Sequence, residues 1–152
     1  MKILILLCLL SFQSDTVLTG LLVRITDGDS VVLLTEDKQQ IKVRLDGIDC
    51  PELGQPFSQK AKQFVGDICK DKEIKVHVTG KDRYKRTLGV LYADTINVNE
   101  ALLSAGLAWQ YKFNKSADYA ELEQEAKVKK LNIWSESNPV APWDYRKSKK
   151  KK

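Results

Sequence analysis

Histidine occurs once, at His77, and cysteine only three times in the 152 residues. With a single histidine there is no histidine dyad, and no serine or cysteine sits in a motif that supplies it with a base, so a covalent enzyme intermediate has no resident nucleophile. Zinc is disfavoured for the same reason. Long apolar runs are equally scarce. The one present, Ile3 to Leu10, follows Lys2 and is too short to cross a bilayer. It reads as a secretory signal peptide, with a buried first strand as the alternative, and a clear small-residue cleavage site is missing. Residues 1–19 are therefore assigned to a leader and N-terminal extension, residues 20–145 to one domain and residues 146–152 to a basic tail. Removing the leader leaves no membrane span. Cys8 falls in the leader, which leaves Cys50 and Cys69. In an exported chain they either close a disulfide worth about 2–4 kcal/mol or remain free thiols.

No shift in composition and no internal repeat divides the remainder, and its length suits one core. The charge is unevenly spread. Arg146 to Lys152 hold six of the 25 basic residues, and without them the net charge of +5 becomes −1. Such a block is expected to stay solvated, either as a solubilising end or as an electrostatic tether for polyanions.

Period-two alternation marks strands at Leu21–Thr26, Ser30–Leu34, Gln40–Leu45, Glu73–Thr79 and Thr87–Ala93. Helical spacing marks Pro56–Cys69, where Phe57, Ala61, Phe64, Val65 and Ile68 share a face. It marks Val98–Gly106, stopped by a glycine, and Ala117–Leu131, where Leu122, Ala126 and Val128 are available to pack. Leu131, Ile133 and Trp134 should anchor that last helix. Pro139 and Pro142 read as an irregular exit. The fold class expected is α+β with a mainly β core: a small five-stranded barrel carrying about three packed helices. His77 falls on the polar face of its strand and reads as a surface residue.

Two charged segments stand out. Arg44 to Glu52, RLDGIDCPE, follows a strand and places Asp46, Asp49 and Glu52 on a loop marked by Gly47 and Pro51. Carboxylates this close repel unless solvated or neutralised, and a hard divalent cation with oxygen ligands would neutralise them. A solvated acidic turn explains these residues equally well in isolation. Between the last two strands, Lys81-Asp82-Arg83-Tyr84-Lys85-Arg86 packs four cations and a phenol into a turn. An acidic, metal-competent loop facing a cationic turn is what phosphodiester cleavage requires. Cations neutralise the charge building on the phosphate while a carboxylate activates water. Arginine suits the task because its planar fork grips two oxygens and stays charged.

Five motifs, ITDGDS at Ile25–Ser30, RLDGIDCPE at Arg44–Glu52, DRYKRTLG at Asp82–Gly89, VNEALLSAGLA at Val98–Ala108 and KLNIW at Lys130–Trp134, resemble in that order the thermonuclease family, also called micrococcal or staphylococcal nucleases. The resemblance runs from about Leu21 to Trp143. It implies an OB-fold barrel and a calcium ion held by Asp29, Asp49 and the backbone carbonyl of Cys50, which stands where a threonine is common. It implies Glu52 as general base, and Arg44 and Arg86 as transition-state arginines, Arg86 also assisting the leaving 5′ oxygen. Arg83 and Tyr84 match positions that bind the 3′-side phosphate. Tyr111 is the candidate for base stacking, with Trp109 and Phe113 as alternatives and core packing the commoner fate for Trp109. Lys85 replaces a common glycine, which leaves the turn open to losing a positive φ that lysine adopts only at a cost, and with it the aim of Arg86. The activity implied is an exported, monomeric, calcium-dependent phosphodiesterase acting on DNA and RNA and leaving 3′ phosphates. The rival is a catalytically silent OB-fold barrel that only binds nucleic acid. A calcium-binding domain without nucleic acid leaves Arg83 to Arg86 unexplained.

Overall fold

The computed structural model describes residues 16–150, so the leader read in residues 1–12 lies outside it. Strand β1 (Val17–Asp27) starts earlier than the expected Leu21, because Val17 to Gly20 pair antiparallel with Ile74 to His77. The division drawn at residue 20 thus falls inside a strand. β1 then pairs with β2 (Ser30–Thr35), which pairs with β3 (Gln40–Leu45), and two register shifts in β1 let it bend from one neighbour to the other. A short β4 (Ile48–Asp49) follows in the acidic loop, then helix α1 (Ser58–Cys69), β5 (Ile74–Lys81) and β6 (Thr87–Ala93).

β5 pairs with β1 and β6, and β6 returns to lie parallel to β3 through Val43–Thr87, Arg44–Leu88 and Leu45–Gly89. That last pairing closes the sheet, giving the five-stranded barrel and the α+β class expected. The inward sides supply Val31, Leu33, Val43, Leu45, Val76 and Leu91 to the core, and α1 covers one end with Ala61 and Val65. Period two therefore becomes a filled barrel directly.

The short β7 (Ile96–Asn97) leads into α2 (Val98–Ser104), which Asn97 caps by accepting the Glu100 N–H and which ends before Gly106 at φ 64°. Buried Asn99 on α2 accepts the Leu91 N–H at 3.1 Å and donates to the Asp46 carbonyl at 2.8 Å, pinning β6 to the start of the acidic loop. Strand β8 (Trp109–Gln110) pairs with β4, and α3 (Ala117–Val128) packs Tyr119, Leu122 and Ala126. Val128, expected to pack, is 73% exposed, since the helix ends there without a neighbour over it. Ile133 and Trp134, in a single 3₁₀ turn, anchor the end of α3 as expected; Trp134 meets buried Trp109 edge-on at 5.2 Å.

A fourth helix, α4 (Pro142–Lys149), stands beyond the three expected. Pro142 opens it at a position where proline's missing N–H and fixed φ favour a helix start, so it is no irregular exit. The boundary at residue 146 accordingly falls inside a helix. Among the described residues no helix is long and apolar enough to cross a membrane. Cys50 and Cys69 are buried free thiols, and burial pushes both pKa values up, Cys69 to about 11. His77 is exposed, as expected.

Candidate active site

The β1–β2 turn carries the first acid. The Asp29 N–H donates to Asp27 at 3.2 Å, and its carbonyl accepts the Leu45 N–H at 2.8 Å, tying the turn to the end of β3. Gly28 makes this packing possible: a Cβ there would lie 2.8 Å from Ala61 Cβ and 2.9 Å from Cys50 Sγ. The Cys50 side chain is thus turned inward, and what it offers the site is backbone. Its N–H donates to Asp29 Oδ2 at 2.6 Å. Asp49, the second acid, is fixed by the pairing of β4 with Trp109.

Arg44 joins the two. The β2–β3 register sets it opposite Ser30, and from there its guanidinium bonds Asp29 Oδ1 and, at 2.7 Å, Asp49 Oδ1. Both carboxylates are almost fully buried, at 2% and 0% exposure. Burial pushes the Asp29 carboxyl up, with Arg44 opposing. For Arg44 burial works against the charge, but Asp29 and Asp49 outweigh it and hold the guanidinium charged.

Glu52 stands at the rim, its side chain 36% exposed. Buried Gln55 sets its backbone: Gln55 Oε1 accepts the Glu52 N–H at 2.8 Å, while its Nε2 donates to the Val140 carbonyl at 2.9 Å. The acidic loop is thereby coupled to the chain that leads into α4. From α4 comes the second cation, Arg146. Its guanidinium donates to Asp49 at 2.8 and 3.1 Å and to Glu52 Oε1. The hydrogen bond to Asp49 raises its pKa, burial opposes, and Glu52 adds to the rise. The expectation of a solvated tail fails at this residue, because a fork-shaped cation 39% exposed finds two carboxylates within reach.

Across a cleft of about 790 Å³ lies the cationic turn between β5 and β6. Asp82 organises it, accepting the N–H groups of Tyr84 and Arg86 and the Arg86 Nε at 2.7 Å. Lys85 adopts φ 62°, so the turn keeps the left-handed conformation that a lysine there was expected to put at risk. Tyr84, 66% exposed, lies beside the Arg83 and Arg86 guanidiniums at 4.8 and 5.7 Å. Tyr111 and Phe113, edge to face at 5.5 Å, also line the cleft, whereas Trp109 is core.

Among the described residues no group of three or more His, Cys, Asp or Glu side chains forms a metal cage. The chemistry of the donors nevertheless suits a hard cation, since Asp29 and Asp49 are buried oxygen donors facing one another across a guanidinium. Every oxygen of the two carboxylates already accepts an N–H donor. Arg146, the more exposed of the two arginines, is the partner a cation at Asp49 would displace.

The family model described as staphylococcal nuclease homologue matches residues 42–136, well over half of the chain. The chain belongs to this family. A Haemophilus influenzae protein named uncharacterized endonuclease is 36% identical over 150 residues, covering 98% of this chain and 84% of its own. The micrococcal nuclease of Shigella flexneri is 38% identical, covering 86% and 82%. Staphylococcal-like nuclease CAN1 of Arabidopsis thaliana is 38% identical over 74% of this chain and 35% of its own length. Within this nuclease-homologue fold the structure brings Asp29, Asp49, Arg44, Glu52 and the Cys50 backbone together. Arg83, Tyr84, Arg86 and Tyr111 line the same cleft as Arg44 and Glu52. Sequence reasoning missed Arg146, Gln55 and Asp82. The three- and four-residue spacing of Trp143, Arg146 and Lys147 after Pro142 was the one signal that a helix stood there.

Proposed function

We propose that this chain is a calcium-dependent nuclease that hydrolyses phosphodiester bonds of DNA and RNA by attack of water. The observation that carries the reading is Arg44 clasping Asp29 and Asp49 beside Glu52, across one cleft from Arg86 and Tyr84. Relatives named as nucleases support it. Asp29, Asp49 and the Cys50 carbonyl would hold the calcium, which supplies charge neutralisation at the phosphate when bound.

The remaining steps belong to the protein. Glu52, at the rim and partly solvated, accepts the proton of the attacking water. Arg44 and Arg86 meet the charge building on the phosphoryl oxygens from opposite walls, and Asp82 aims Arg86 by holding its Nε. Arg83 and Tyr84 grip the neighbouring phosphate, Tyr111 stacks on a base, and the 5′ oxygen leaves to give a 3′ phosphate. The reading includes export, for which the apolar run Ile3 to Leu10 read as a leader is the support, and a monomer, since one copy fills all of these roles.

The test is release of acid-soluble nucleotides from denatured DNA and from RNA, with calcium and with chelator, with Glu52→Gln alongside. Calcium-dependent release that falls by orders of magnitude in the variant is the expected result. Binding without release would instead make the chain a silent nucleic-acid-binding barrel.

A further inference from the structure

We propose that helix α4 is a third wall of the cleft and binds a single nucleic-acid strand through Trp143, Lys147 and Lys150, with Arg146 as its anchor. The nature of this ligand rests on the nuclease reading above. Arg146, Lys147 and Lys150 lie three, four and seven residues after Trp143, which places the four on one stripe, and all four line the cleft.

The stripe is fixed in place. Pro142 is buried, and half-buried Tyr145 lines a small apolar cavity with Phe57, Trp109, Ile133 and Val140. Gln55 holds the Val140 carbonyl, and with no cation at Asp49, Arg146 bonds Asp49 and Glu52. α4 lies beyond the stretch that the family model matches. Lys147 is engaged only by exposed Asp144 at 3.2 Å, an ion pair that a phosphate readily replaces.

Opposite α4 stand Arg83, Arg86 and Lys112 together with exposed Tyr84 and Phe113. Cations alone would suit any polyanion. Cations interleaved with aromatic faces on both walls suit a strand whose bases are unpaired, with phosphates on the lysines and a base against Trp143.

The experiment is fluorescence anisotropy of a labelled single-stranded oligonucleotide with the full chain in EDTA over a salt series. Lys147→Ala/Lys150→Ala should weaken binding about tenfold at physiological salt and flatten the salt slope by about 1.4, at about 0.7 for each phosphate that the variant no longer neutralises. Trp143→Ala should weaken it about fivefold or more, and Trp143→Tyr should restore it. Lys60→Ala/Lys70→Ala removes equal charge from exposed positions outside the cleft and should change neither. The proposal is overturned if the α4 variants bind like wild type, if the control pair weakens binding equally, or if inorganic polyphosphate competes as well as the oligonucleotide. Nucleotide release by the wild type decides the nuclease reading separately. A chain that binds through α4 and releases nothing would refute that reading and leave this one standing.

Discussion

Replacing Arg44 with alanine should destabilise the fold as well as slow the reaction. Arg44 is 17% exposed on its side chain and bonded to two carboxylates that are 3% and 0% exposed, so its loss strands buried charge. Breaking a buried pair by deleting one partner costs about 3–5 kcal/mol. Here the two carboxylates are left unequally provided for. Asp49 keeps both hydrogen bonds from Arg146, whereas Asp29 keeps only the Cys50 N–H and the Ser30 hydroxyl. The cost should therefore sit at the lower end, about 3 kcal/mol, and should belong mainly to Asp29. Urea unfolding in EDTA measures it as a shift in midpoint at constant slope. Asp29→Asn in the Arg44→Ala background should recover most of the loss, because a neutral amide needs no counter-charge, and a double-mutant cycle isolates the coupling. If Arg44→Ala lies within about 1 kcal/mol of wild type, or if Asp29→Asn adds to the damage, the clasp is not what neutralises Asp29.

Gln55→Ala should lower turnover about tenfold, since the Glu52 backbone loses its acceptor and the lead-in to α4 its donor; an unchanged kcat would remove Gln55 from positioning the base. Lys85→Gly should stabilise the protein by about 0.5–1 kcal/mol in urea, because the left-handed cost to lysine of about 1–2 kcal/mol exceeds the entropy glycine adds to the unfolded chain. A destabilised variant would contradict that balance. Cys50 and Cys69 should resist iodoacetamide at pH 8 until the chain unfolds, because burial holds both thiols protonated. Cys69 is raised to about 11, so the stability it contributes is full below about pH 8.5 and fades as pH climbs towards 11, which alkaline unfolding of Cys69→Ala beside wild type would reveal.

Much of this protein is legible in its sequence because the relevant physics is local. Alternation of apolar residues over Gln40–Leu45 and Thr87–Ala93 located both strands to the residue, and Gly106 marked the end of α2. The five motifs gave the family, and among the residues they single out Arg44, Glu52, Arg83, Tyr84 and Arg86 line one cleft.

Tertiary structure decided the rest. Parallel closure of β3 on β6 joins segments that only a curved sheet brings together, and the curvature comes from bulges in β1 that no residue of β3 or β6 announces. The extension of β1 to Val17 likewise required β5 as a partner. Arg146 is the clearest case. In sequence it is the first residue of a basic run, and solvation is the natural fate of such a run. Its carboxylate partners lie 97 and 94 residues earlier, and it is α4, tied back to the acidic loop by the hold of Gln55 on Val140, that brings it over them. Charge is written in the sequence, but whether a cation is solvated or clasped depends on distance, and distance is set by the packed core.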